Sequence, residues 1–311
     1  MSRRMPWGEN SGMLLVFVAL FVTLSFTVPN FFSQPNMIAL ALSVATVGML
    51  ACTMLFCLAS GDFDLSIEAV VAFSGVLAAV VANETHSVVL GMTAGIAAGG
   101  IVGLLNGTLI AKAGINALIV TLGMMQIVRG LAFIASNGSA VGIADPRFYA
   151  LGMENHLGIP NPVWITLACF LIFGIVLNKT KFGRHTLAIG GSRDAAHLAG
   201  VPVNRVKILI FTLQGLMAGF AGIIMASRMT SGQPNSSQGL ALDVISACVL
   251  GGVSLSGGIG TMGGAIVGVL IMGTVQNAMN LMNVETFYQY VARGAILLAA
   301  VGFDQWKRRR A

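Results

Sequence analysis

Ten apolar stretches divide this chain, near residues 13–29, 37–59, 66–83, 88–111, 117–136, 162–178, 208–227, 242–257, 262–282 and 285–303. Each approaches the ~20 residues that a helix needs to cross ~30 Å of hydrocarbon. No water is available there, so every backbone N–H and C=O has to be paired within a helix or around a closed barrel. Barrel strands would alternate over about ten residues, and these runs do not, so the pattern predicts helices. Charged residues make up only 9% of the chain, against about 25% in soluble domains, which excludes a soluble globular fold. The reading is an all-α integral membrane protein of about ten transmembrane helices in a single domain, residues 1–311. Arg3 and Arg4 precede the first stretch in the manner of a secretory signal. No small-residue cleavage site follows, so a retained helix is expected.

The net charge of +6 could suit nucleic acid, but the basic residues follow the apolar stretches and report topology instead. With the N-terminus inside, Arg3, Arg4, Lys112, Lys179, Lys181, Arg184, Arg193, Arg205, Lys207 and Lys307 to Arg310 are cytoplasmic, 13 of the 17 Lys and Arg. An even number of spans leaves both termini cytoplasmic, with segment 137–161 outside. Cys52, Cys57, Cys169 and Cys248 all fall within apolar stretches without metal-ligand spacing. They read as packing residues, and no metal site is expected.

The chain also echoes itself. GGIVGLLNGTL at 99–109 resembles GAIVGVLIMGT at 264–274, and VRGLAFIA from Val128 resembles ARGAILLA from Ala292, at offsets of 165 and 164. Five spans separate the copies, and an odd count predicts two five-helix halves of opposite orientation, an inverted repeat of the transporter kind.

Gly258 to Gly263 spells G-x-G-x-x-G, but no βαβ context surrounds it, so close packing of helices is the expected role. The same holds for Gly91, Gly95, Gly99, Gly103 and Gly107, four residues apart. The basic loop 179–207 is different, because between Gly190-Gly191 and Pro202 it carries a punctuated short helix. Ser192 is its cap, Asp194 lies in the first turn where the helix dipole favours a negative charge, and Gly200 follows its end. Charge alone would serve topology; the punctuation points to a docking helix for a cytoplasmic partner.

Between the second and third stretches stands SGDFDLS, residues 60–66, with Asp62 and Asp64. A carboxylate at mid-bilayer costs ~2.5–3.5 kcal/mol on insertion scales, so the two sit at an edge or line a polar path. The structural role is capping, with Asp64 or Ser66 accepting the free N–H groups of the next helix and Gly61 turning the chain. A place in a transport pathway and acid/base chemistry are the other two readings. Capping requires that Asn serve as well as Asp at position 64, and more weakly at 62.

ASGDFDLS, NALIVTLGMMQIVRGLAF, LAIGGSRDAAHLAGVPVNRVKI, ASRMTSGQP and LGGVSLSGGIGT together resemble the permease subunits of bacterial pentose ABC importers, the ribose, xylose and arabinose group, and most nearly its arabinose members. The likeness runs from about residue 12 to the C-terminus. It implies an inner-membrane permease dimer that takes sugar from a periplasmic binding protein and is driven by a separate ATPase subunit. Arg193, Asp194, Ala195, Ala196, His197, Leu198 and Gly200 would then form the coupling element. The residues themselves agree on one point: the chain has no G-x-x-x-x-G-K-[ST], so ATP and Mg belong to the partner.

A sugar is rich in hydroxyls and uncharged, so its path needs amides and hydroxyls. Gln126 and Arg129 on the fifth stretch, and Gln276, Asn277 and Asn280 on the ninth, are the pathway candidates beside Asp62 and Asp64. Interhelical hydrogen bonding is the equal alternative for these amides. Two rivals from other classes remain: a proton-coupled sugar transporter with Arg129 and Arg293 partnering a titrating acid, and an intramembrane aspartyl protease drawing on Asp243. Reporter fusions test the topology: a fusion after residue 150 is expected to report the outside, and fusions after 190 and 311 the cytoplasm. A cytoplasmic signal at 150 overturns the ten-span arrangement.

Overall fold

The computed structural model describes residues 7–310, with side chains from 12 to 302. Arg3, Arg4 and Ala311 lie outside the described residues, as do the side chains of Lys307 to Arg310. The helices are α1 (Trp7–Thr27), α2 (Gln34–Ala59), α3 (Ile67–Thr85), α4 (Val88–Ala111), α5 (Ala117–Ala135), the single turn α6 (Ala150–Met153), α7 (Asn161–Lys179), α8 (Lys181–Gly191), α9 (Arg193–Leu198), α10 (Val203–Met229), α11 (Leu240–Leu250), α12 (Met262–Leu281) and α13 (Thr286–Arg310). Among the described residues seven of these, α2, α3, α4, α5, α7, α10 and α12, are long and apolar enough to cross a membrane.

Helix α2 is the axis of the bundle. From Gly48 to Ala59 every residue is buried, as expected of a helix apolar on all sides. Helices α7, α10, α11 and α12 all pack on it. The four cysteines are free and buried, as packing residues should be.

Where helices touch most closely, glycine permits it. A Cβ at Gly91 or Gly95 would collide with carbonyls of Ala78 or Ser74 on α3, and one at Gly99, Gly103 or Gly107 with backbone of Gly215, Phe211 or Ile208 on α10. The five-glycine stripe is therefore a double seam, α4 against α3 and then α10. Gly257 and Gly258 behave in the same way, packing on Gly190 and Gly191 of α8, with Gly258 donating to the Ala59 carbonyl (2.9 Å), whereas Gly260 makes only ordinary contacts and Gly263 is exposed.

Two expectations need correction. The stretch 242–257 is not one spanning helix. Helix α11 has 11 residues, about 16 Å at 1.5 Å each, too short to cross alone. It stops at the glycine-rich run from Gly251, which continues irregularly to Thr261. The basic loop is more helical than expected, since α8 precedes the docking helix and α10 already starts at Val203.

Segment 230–239 explains where the missing helix went. It begins at the two-residue pairing of β1 (Val141–Gly142) with β4 (Ser231–Gly232), beside Asn83 near the end of α3, which donates to Gly142 O (2.7 Å). It then passes Gly75 of α3 and finishes with Gly239 bonded to Glu68. From Asn83 to Glu68 is 15 residues of helix, about 22 Å, so irregular backbone descends deep into the bundle before α11 starts. A second hairpin, β2 (Asn155–His156) with β3 (Ile159–Pro160), lies in segment 137–161, at the end of α7 opposite α8.

Gly103→Val is expected to lose folded protein from the membrane, because its Cβ has only Phe211 and Gly215 backbone to move and overpacking costs about 1–3 kcal/mol. Gly123→Ala on α5, where nothing lies within 4 Å, should keep wild-type levels. Both are read as membrane-inserted, detergent-stable protein.

Candidate functional site

The SGDFDLS segment links α2 to α3, and its two aspartates do different work. Gly61 turns the chain at φ +83°. Asp64, fully buried, accepts from Ser66 N (2.8 Å) and Ser66 Oγ (2.6 Å), and Asn106 of α4 donates to Ser66 Oγ (2.9 Å). Asp64 thus holds the residue that precedes α3 through a turn of two residues, while Ser66, the cap position, makes no side-chain cap hydrogen bond to the helix. Asp62 instead lies 2.7 Å from the Lys207 ammonium, one turn inside α10, with both side chains nearly buried. The weaker capping role expected of Asp62 is therefore replaced by an ion pair. Lys207 had been read as a topogenic charge, and only the fold brings it to the aspartate.

The amide and arginine candidates are mostly taken by the chain's own structure. Arg129 donates to Pro234 O (2.7 Å) and Ser236 O (3.0 Å) and lies 3.5 Å from Glu68. It clamps the descending segment and has little left for a sugar. Asn277 exchanges two hydrogen bonds with Asn36 of α2, at 2.8 and 2.9 Å, both side chains buried. Asn280 accepts from Gln289 of α13 (3.0 Å). Gln276 lies with Asp243 along one cleft, and Asp243 pairs with Arg293 at 3.2 Å. Asn277 and Asn280 thus make the interhelical hydrogen bonds that were the alternative to a pathway role. Gln126 is exposed, on the apolar face of α5.

The docking helix has the predicted form. Ser192 Oγ accepts from Ala195 N (3.3 Å), Asp194 occupies the first turn, and Gly200 takes φ +81° with its N–H donating to His197 O (2.9 Å). Arg193, Asp194, Ala195, His197, Leu198 and Gly200 are all exposed, whereas Ala196 is buried against the bundle. Ala196 anchors the helix and faces away from any partner. Leu198, 87% exposed, is its protruding apolar residue. An open groove of about 600 Å³ runs between Arg193, His197, Pro202 and Arg205. At the other end, Arg147 hydrogen-bonds Asp145 (2.6 Å) and holds that exposed carboxyl below its usual range.

Residues 36–301 match the family model described as branched-chain amino acid transport system / permease component. The chain belongs to this permease family. It is 60% identical over 301 residues to the L-arabinose transport system permease protein of Escherichia coli K12, covering 97% of this chain and 92% of that one. To the L-arabinose ABC transporter permease protein of Azospirillum brasilense it is 58% identical, covering 97% and 89%. To the ribose import permease protein of Bacillus subtilis it is 39% identical, covering 96% and 94%. No solved structure matches. The permease is a transport subunit and not an enzyme, which sets aside the protease reading, and Asp62 and Asp243 are each engaged by a different cation. The acid–arginine pairs foreseen for a proton-coupled transporter do exist, but the family is that of ABC permeases.

Asp64→Asn should retain most folded permease, because an amide oxygen can accept from Ser66, while Asp64→Ala should cost about 1 kcal/mol of stability. Asp62→Asn strands a buried ammonium and should cost more, about 3–5 kcal/mol, with recovery in Asp62→Asn/Lys207→Met. Thermal melts of purified permease in detergent rank the variants.

Proposed function

We propose that this permease is the membrane-spanning subunit of an ATP-driven importer that passes a pentose, L-arabinose, into the cytoplasm of a bacterium. The observation that carries the reading is α9: a capped, exposed helix with its own groove, in a chain without a phosphate-binding loop. A separate ATPase, holding ATP and Mg, docks there. Identities of 58–60% to arabinose permeases against 32–39% to ribose permeases favour arabinose as the cargo.

Ten passages of the inner membrane with both termini cytoplasmic accommodate the structure if α11 and the irregular segments on either side of it complete one passage together. The inverted repeat is supported by the neighbours each helix keeps. If α2 to α5 correspond to α10 to α13, the contacts of α3 with α4, α5 and α10 map onto those of α11 with α12, α13 and α2. The contact of α4 with α10 maps onto that of α12 with α2. Two copies of the permease meet around the sugar path, to which Gln126 contributes, with lipid covering the remaining apolar faces. The periplasmic binding protein lands on the hairpin end.

Labelled L-arabinose uptake, with ribose and xylose as competitors, tests the cargo: unlabelled arabinose should compete best. Leu198→Glu should cut the co-purifying ATPase by about tenfold, since a charge placed in an apolar contact costs more than 1.4 kcal/mol. Uptake that survives ATP depletion with the proton gradient intact overturns the proposal.

A further inference from the structure

The two acid–arginine pairs are related by more than composition. The echo that aligns Val128 with Ala292 sets Arg129 over Arg293. Each arginine is paired with an acid in the first turn of a helix, Glu68 in α3 and Asp243 in α11. Each of those helices follows an irregular segment that opens with Ser-Gly, Ser60-Gly61 in one half and Ser231-Gly232 in the other. The two helix starts lie together, because the Gly239 N–H at the head of α11 donates to Glu68 Oε2 (2.9 Å). Four charges therefore meet where the two halves join.

We propose that Glu68–Arg129 and Asp243–Arg293 are counterpart latches, one per half, and that a transport cycle holds one while it releases the other. The proposal rests on the inverted-repeat reading above. A pentose is uncharged, so its recognition does not require these four groups. Glu68 and Arg129 also hold backbone of segment 230–239, but the pairing of charges is not needed for cohesion alone, since apolar residues of similar volume often replace a buried ion pair without loss of stability. An ion pair offers what apolar packing does not: it is strong when dry and weak once water reaches it. A joint of this kind opens when the path beside it hydrates, whereas the glycine seams of α4 with α3 and α10 stay shut.

The structure catches the two latches in different conditions. Arg129 is 13% exposed and has two carbonyls besides its acid. Arg293 is 27% exposed and its Nε is unpartnered. The first arginine is fastened to segment 230–239 as well as to its acid at 3.5 Å, whereas the second, more exposed, holds its acid at 3.2 Å.

The test uses the complete transporter, permease with ATPase and binding protein, in liposomes, and reads sugar moved per ATP hydrolysed. Asp243→Asn and Glu68→Gln should each lower that ratio about fivefold, the size of a typical coupling between paired residues, and raise ATP hydrolysis without binding protein. The exchange Asp243→Arg with Arg293→Asp should recover much of the loss. Should these variants not accumulate, Asp243→Glu and Arg293→Lys carry the same readout with a smaller change. A wild-type ratio in Asp243→Asn and Glu68→Gln overturns the latches, as does an exchange variant that accumulates normally without recovery. The underlying repeat is judged separately, by labelling Gln233→Cys from outside and Phe63→Cys from inside in the otherwise unaltered protein. Loss of that labelling pattern removes the repeat, while an unchanged transport ratio with the pattern intact removes only the latches.

Discussion

Backbone that leaves helical geometry within a membrane protein must find its hydrogen bonds in the protein itself, because lipid supplies none. In this permease two carboxylates meet that demand. Asp64 takes the N–H of Ser66 where SGDFDLS gives way to α3, and Glu68 takes the N–H of Gly239 where the descending segment gives way to α11. Arg129 satisfies two carbonyls of the same descending segment. Without these three side chains neither short connection could lie inside the bundle, and α3 and α11 could not begin where they do.

Around this polar centre the rest of the bundle is closed by contact. Glycines on α4, α10 and α12 bring backbones so near that a single added methyl would overlap a neighbouring carbonyl. Packing of this kind has no soft coordinate, since interiors at native density transmit strain and resist compression. Ion pairs and irregular segments are the opposite, and they are concentrated along α3, α5, α11 and α13. The molecule thus separates into seams that hold and joints that can rearrange.

The docking helix is connected to those joints by a short path. Helix α9 leads from α8, and Gly190 of α8 sits directly on the carbonyl of Ala59, the residue before SGDFDLS. Gly258, from the irregular run after α11, donates to the same carbonyl. A displacement of α8 would press on the ends of both irregular elements at once. The amide-bearing residues Asn277 and Asn280 lie away from this path and hold α12 to α2 and α13.

The amino-acid sequence by itself determined the membrane class, the helical fold, the capped form of the short helix at 193–198 and the packing role of the glycine stripe. Each depends on local pattern: apolar length, cap residues and four-residue spacing act within one or two turns. The family was likewise legible, in motifs spread along the chain. Tertiary structure alone decided that the stretch at 242–257 breaks after Leu250, that Asp62 belongs to Lys207, and that Ala196 turns inward while Leu198 protrudes. It also decided that Arg129 serves the backbone of segment 230–239. Those outcomes depend on partners more than a hundred residues away, or on which side of a short helix meets the bundle. A charge carries no mark of the residue that will neutralise it until folding brings the two within reach.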